Sequence, residues 1–334
     1  MTATPVNELA EQTPEPNGEG PRTKAITSNS PTKLAMTRFR KDRKSMVAAA
    51  IVVFYFIAGI SGPILVALGV LDPYSTNQDL IGPDNLPVGD WWGISWSHPL
   101  GVEPGIGRDV LSRIWLGITF SLVVSISASI IAVVIGVVLG IVSGFSGGWV
   151  DSIVGRFTDL ILAFPQTLLL LAGSSIGLAV LTETLHVPDG AISQGLFVIL
   201  VLGFFGWTGT CRLIRGQVLS LREREFVDAA RLFGASKRRI WFKELLPNLW
   251  APVLVTFTLY MPAFISAEAA LAYLGVSVRP PTPTLGNILH DAITYATGDF
   301  LYFFAPAFLI AIIVVSFNLL GDGLRDALDP KGDR

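Results

Sequence analysis

The chain has 334 residues, 51% of them hydrophobic and 15% charged, with a net charge of -2. A soluble domain carries about 25% charged residues, so this composition excludes a chain that lies wholly in water. The net charge says nothing about nucleic acid, and no basic stripe interleaved with aromatics points to it.

In chain order, residues 1–37 are rich in Pro, Thr, Asn, Glu and Gly with little to bury, which predicts a disordered tail. The cluster Arg38, Arg40, Lys41, Arg43 and Lys44 then pins the first apolar run, Ser45–Leu71, to anionic headgroups. That run is too long, and too far from the start, for a cleaved signal peptide, so residues 38–71 read as a basic anchor and first transmembrane helix. Residues 72–113 form an extracytoplasmic loop containing the tryptophan-rich insert Gly89–Trp96. Five further runs long enough to cross about 30 Å of hydrocarbon follow within residues 114–330. They are Ile114–Val150, Leu160–Thr182, Gly190–Arg212 short of its arginine, Leu245–Ala267 and Phe300–Gly321. The first of these is too long for one straight span unless it is tilted or ends in a turn, and Ser143–Gly148 supplies the turn. Gly136, Gly140 and Gly144 recur every four residues, which predicts close helix–helix packing. Pro165 is expected to bend the third span, with Asp159 as a charge near its start.

The basic residues set orientation. With six spans, 21 of the 24 Lys and Arg fall on one side, leaving Arg108, Arg113 and Arg279 on the other. The positive side is the cytoplasm, so both termini are expected there. The fold class is therefore all-α integral membrane with six transmembrane helices. The single cysteine, Cys211, lies in an apolar run and reads as a small buried residue. His98, His186 and His290 are scattered without ligand spacing, which predicts no metal site. No phosphate loop of the G-x-x-x-x-G-K-[ST] type occurs, so the chain is not expected to hydrolyse ATP by that route.

The connection 222–247 carries the most information. Phe226, Ala229, Ala230 and Phe233 fall on one stripe of a short helix, and Gly234 is placed to end it in the left-handed conformation. Ser236 is placed to cap a second helix, and Pro247 to open the next span. The two alanines leave room for another protein's surface. Asp228-Ala229-Ala230, Gly234 and Leu246-Pro247 resemble the EAA loop of bacterial ABC importer permeases, with Asp228 in place of the usual Glu and Glu244 in place of Ile. Further motifs are similar to the second, C-type, dipeptide/oligopeptide permease subunits. These are His98-Pro-Leu-Gly101 with Gly107–Arg113, Leu162-Ala-Phe-Pro165, Ala267-Glu-Ala269 with Tyr273-Leu-Gly275, Pro280–Pro283 with Gly286-Asn287, and the ending Asn318–Pro330. The resemblance covers most of residues 45–330; it leaves the first 37 residues and the insert unexplained.

The resemblance implies a type I ABC importer permease fold with a cytoplasmic coupling helix, in a bacterial plasma membrane. It implies a second homologous permease, two ATPase subunits that carry ATP and Mg, and an extracytoplasmic substrate-binding protein as partners, with no cofactor on this chain. Phe226, Asp228, Ala229, Ala230, Phe233, Gly234, Leu246 and Pro247 would then couple to the ATPase. Glu268 is a translocation-path candidate as an acid inside a span, or else a buried acid bonded to a neighbouring helix. Arg108 and Asp109 are candidates for docking the binding protein, or pair with each other or anchor a helix start. The cargo is expected to be di- or oligopeptides, with nickel and glutathione as alternatives. A self-sufficient secondary transporter is the competing class, but neither an internal repeat nor a broken midplane helix is visible. A membrane-anchored receptor would need a larger extramembrane domain than residues 72–113.

Overall fold

The computed structural model describes residues 31–89 and 91–328, with the side chains of 31–34 excepted. Its helices, numbered in chain order, are α1 (Pro31–Lys41), α2 (Arg43–Ala67), α3 (Val110–Ser146), α4 (Gly148–Ala163) and α5 (Gln166–Ala179). They continue with α6 (Ala191–Leu221), α7 (Glu225–Leu232), α8 (Lys237–Arg239), α9 (Trp250–Tyr273), α10 (Leu285–Ile293) and α11 (Phe300–Leu328). Among the described residues there are no strands beyond two isolated bridges. Among the described residues six helices are long and apolar enough to cross a membrane: α2, α3, α5 with its wide-turn extension to Thr184, α6, α9 and α11.

The long second run is one helix of 37 residues, about 55 Å at the α-helical rise, so α3 projects beyond the hydrocarbon. It starts at Val110, four residues earlier than expected, because the Asp109 carboxylate caps it by accepting from Ser112 N–H at 2.7 Å. It ends at Gly147, within the predicted turn. Half of its most apolar window is buried, against 11% for α5, which makes α3 the central helix and α5 a peripheral one. The glycine stripe of α3 faces α6. A β-carbon on Gly136, Gly140 or Gly144 would lie 2.8–2.9 Å from the carbonyl oxygens of Trp207, Cys211 and Arg215 respectively, so only bare backbone permits this approach. On the other flank of α3, Thr119 donates to the Gly59 carbonyl and Trp115 to Ser61, holding α2. The Tyr55 hydroxyl ties α2 to α11 through the Leu309 carbonyl at 2.7 Å.

Three sequence expectations need correction. The third span does not begin at Leu160 and bend at Pro165; α4 ends at Ala163, Phe164 is extended, and the span restarts at Gln166. Proline removes a backbone donor and forces the residue before it out of the helical region, so the helix breaks there. Asp159 accordingly sits on α4, paired with Arg212 at 2.5 Å. The disordered tail assigned to residues 1–37 lies outside the described residues up to position 30, but 31–37 belong to α1. That helix docks on the end of α11, with the Phe39 ring near Gly323, a tertiary contact that local composition does not reveal. Finally, Pro247 does not open the next span directly. It lies in a short tight turn, Leu246–Asn248, and α9 starts at Trp250.

Candidate coupling surface

Helix α7 packs on the segment Ile240–Leu245, and its Val227 and Arg231 join it to side chains of α3 and α6. Val227 is its anchor, fully buried with Ile141, Ile214, Val218, Ile240 and Leu245. Burying each such side chain stabilises by about 1.5–3 kcal/mol, enough to fix so short a helix against its neighbours. Ala230 is half-buried on the same side, and the Arg231 guanidinium covers the Phe145 ring at 5.3 Å while pairing with Asp228 at 3.0 Å. The Phe145 ring in turn meets Trp241 edge-on. The helix ends as expected: Gly234 has φ +73°, Ala235 N–H donates to the Ala230 carbonyl, and Gly234 N–H donates to that of Arg231. This paired closure satisfies the last carbonyls and turns the chain sharply. Ser236 then caps α8 by accepting from Arg239 N–H.

With Val227 holding the inner side, the outward face carries Phe226 and Ala229, and the tip carries Phe233, 91% exposed, beside Leu232, 88% exposed. Of the predicted stripe, Phe226, Ala229 and Phe233 face outward, whereas Ala230 turns toward the core. Leu232 was missed because it lies off that stripe; its signal was the pair of large apolar residues directly before the terminating glycine. Leu246 is half-buried and Pro247 exposed, so the end of the motif belongs to the base of this surface. Two large apolar side chains thus stand exposed together at the tip of α7.

The base is tied by charge. Asp151 of α4 accepts a bidentate pair of bonds from Arg215 of α6 at 2.5 and 2.6 Å, and a third from the Ser143 hydroxyl of α3. The Arg215 contact, opposed by partial burial, holds the Asp151 carboxyl down at about 2. Arg222 donates to the Gly144 carbonyl at 3.0 Å. Thus α3, α4 and α6 meet under α7 as one block.

At the opposite end of the bundle the motifs around His98–Arg113, Ala267–Gly275 and Pro280–Asn287 converge. Glu268 is 0% exposed; it accepts from Ser121 of α3 at 3.1 Å and from Ser277 at 2.8 Å. Ser121 also accepts from Leu285 N–H, at the start of α10. Asn287 and Thr284 cap α10 reciprocally, and Asn287 donates to the carbonyls of Val278 and Thr282. Gly286 lies against Ala269 closely enough that a β-carbon would fall 2.7 Å from its Cα. Glu268 therefore faces protein, bonded to a neighbouring helix and to its own following loop, and touches no open path in this conformation.

Arg108 and Asp109 do not pair with each other, and both are buried. Arg108 binds Glu103 through two nitrogens at 2.5 and 2.8 Å, while Asp109 caps α3 and accepts from His98 Nδ1 at 2.9 Å. The Tyr302 hydroxyl also donates to Glu103, 3.0 Å away. Arg113, 0% exposed, lies 3.6 Å from Glu103 and 3.9 Å from Asp291 with no hydrogen bond to any of its nitrogens. Burial, reinforced by the Glu103 charge, lifts the Asp291 carboxyl above its usual range. Sequence reading missed Glu103, Ser121 and Ser277, which sit in stretches with no periodic pattern.

This arrangement is the fold of a type I ABC importer permease. A solved inward-facing structure of the MetNI methionine ABC transporter matches it with TM-score 0.51 and 18% identity, covering 66% of this chain and 97% of that one. Residues 136–333 match the family model described as binding-protein-dependent transport system inner membrane component, and the chain belongs to that family. Residues 30–87 match the N-terminal transmembrane domain of oligopeptide transport permease C. Among relatives, the dipeptide transport system permease protein DppC of Bacillus subtilis is 36% identical, over 90% of this chain and 86% of its own length. The oligopeptide transport system permease protein OppC of the same organism is 35% identical, over 90% and 89%. The glutathione transport system permease protein GsiD of Shigella flexneri is 35% identical, over 88% of each.

Proposed function

We propose that this chain forms half of the translocation path of an ATP-driven importer of di- and oligopeptides, beside a second homologous permease. The observation that carries this is the rigid apolar tip of α7. Phe226, Leu232 and Phe233 stand outward on a helix that Val227 and Gly234 fix in place. Such a tip transmits the movement of a docked ATPase into α3 and α6 through the cluster that Val227 shares with them. Asp228, Ala229, Ala230, Leu246 and Pro247 shape its flanks and base. ATP and Mg belong to two separate ATPase subunits. A secondary transporter would have no use for this surface.

Peptide cargo is supported by the relatives, whose names specify dipeptide, oligopeptide and glutathione transport. Glutathione is the second reading, since one of those relatives is named for it. The 21-to-3 division of basic residues supports a bacterial plasma-membrane protein with both termini and α7 in the cytoplasm. The end with α10 then meets an extracytoplasmic binding protein. There Arg108 and Asp109 shape the docking surface from within by bracing the 72–109 segment. Glu268 serves the path by joining α3, α9 and the segment before α10, and contacts cargo only if that joint opens. Affinity purification of the tagged chain in mild detergent tests the proposal. Recovery of a second permease, ATPases and a binding protein supports it; a preparation without ATPase that transports alone in liposomes overturns it.

A further inference from the structure

An apolar groove runs between α2 and α11 on the outside of the bundle, with a volume of about 640 Å³. Its floor is made of small residues, among them the buried Ala48 and Ser316, and its walls are Val47, Ile51, Ile312 and Val315. Apart from Ser316 at the floor, the only polar lining groups are Arg43 and Lys44, together at one end. That end is the one shared with α7, where α2 begins and α11 finishes. From Phe308 to Leu319 the groove follows α11 for about 16 Å, close to the roughly 15 Å depth of one hydrocarbon leaflet.

We propose that this groove is a binding site for an anionic phospholipid of the leaflet on the α7 side. One acyl chain lies along Val47, Ile51, Ile312 and Val315, and the phosphate meets Arg43 and Lys44. Charge complementarity selects this occupant. A helix of another chain laid in the groove would bury two cations and would need acids at that depth to match them, whereas an anionic lipid brings negative charge at the headgroup level and apolar chain below it. The neighbouring charges are mixed. Asp42 lies beside the pair but is engaged in capping α2 through Lys44 N–H and Ser45. Asp322 and Asp326 lie beyond Leu319, outside the lining, whereas Arg40 and Lys41 of α1 add positive charge on the same side.

The test is native mass spectrometry of the full chain in mild detergent, titrated with phosphatidylglycerol and, separately, phosphatidylcholine. Preferential retention of phosphatidylglycerol is expected. Each surface cation is worth about fivefold, so Arg43→Gln with Lys44→Gln should weaken phosphatidylglycerol binding on the order of 25-fold. Val47→Trp, which fills the groove from an exposed position, should reduce retention of both lipids. Lys237→Gln with Arg239→Gln, exposed on the coupling segment, should change neither. Equal retention of the two lipids by the unaltered chain, or unchanged binding in the Arg43/Lys44 variant, overturns the proposal. So does efficient cross-linking of Val47→Cys to a second permease in a complex that holds no lipid, since a protein helix then fills the groove.

Discussion

At the α7 end, the side chains that matter are large, apolar and turned outward: Leu232 and Phe233 have almost no contact with their own chain. At the α10 end they are polar or charged and turned inward, with Glu103, Arg108, Arg113, Glu268 and Asn287 all buried. The first end is held through the inner side of α7, by Val227, and leaves the other side exposed. The second end encloses charge that is costly to bury and satisfies most of it within the chain. A residue type at a conspicuous motif position therefore does not reveal its role. Exposure separates a contact surface from a brace.

Breaking the brace should have the largest effect. Replacing Glu103 by Gln removes the carboxylate that binds Arg108 and Tyr302 and lies nearest Arg113, leaving two buried cations side by side. Removing one partner of a buried pair costs about 3–5 kcal/mol. A drop in thermal unfolding temperature of the purified chain should show it, and an unchanged midpoint would remove Glu103 from the cap. The opposite pattern is expected at the other end. Leu232→Asp with Phe233→Asp should leave unfolding within about 0.5 kcal/mol, as for surface positions. Recovery of ATPase should fall by about 2 kcal/mol of binding or more, the scale of a central apolar anchor. Retained ATPase with lost stability would reverse the comparison.

Much of the α7 surface was legible because its determinants are local. An apolar stripe, a glycine at the helix end and a serine cap lie within a dozen residues, and each constrains backbone geometry on its own. The six spans were legible for a related reason, since hydrocarbon permits only long apolar helices. The α10 cap was not. Ser121 and Glu268 are 147 positions apart, and Tyr302 reaches Glu103 across 199. No period or spacing announces such a pair. Arg108 and Asp109 stood out as charges beside a span, but only the fold shows that each has an internal partner. Pro165 was recognised as a disturbance, but a proline can either kink or break a helix, and only the fold shows the break, with α4 tied separately to α6 through Asp151–Arg215.

Glu268 can be either a brace or a residue of the path, and two substitutions separate these roles. Glu268→Ala would leave the hydroxyls of Ser121 and Ser277 without their acceptor in a buried site, a loss of about 1–3 kcal/mol. Glu268→Gln retains an acceptor of the same shape and should recover most of that stability. If uptake follows stability through the two variants, Glu268 is a brace. If Glu268→Gln is as stable as the parent but does not transport, its charge acts on the path directly.

The smallest effect tests whether burial, rather than geometry, sets the difference between the ends. Asp151–Arg215 and Glu103–Arg108 have the same bidentate form and nearly the same distances. The Arg215 side chain is 40% exposed and that of Arg108 7%. The Asp151 carboxyl is held at about 2, below its ordinary 3.8. A depressed carboxyl stabilises the fold above the unfolded value and loses that contribution as pH falls through the folded one. Stability should therefore decline between about pH 4 and pH 2, and solvent screening limits the Asp151 share to about 1 kcal/mol. Asp151→Asn should lower the unfolding midpoint slightly at pH 7 and flatten the slope between pH 4 and 3. A loss at pH 7 as large as that of Glu103→Gln would show that the α7 base is as enclosed as the α10 cap, and exposure would no longer explain the contrast.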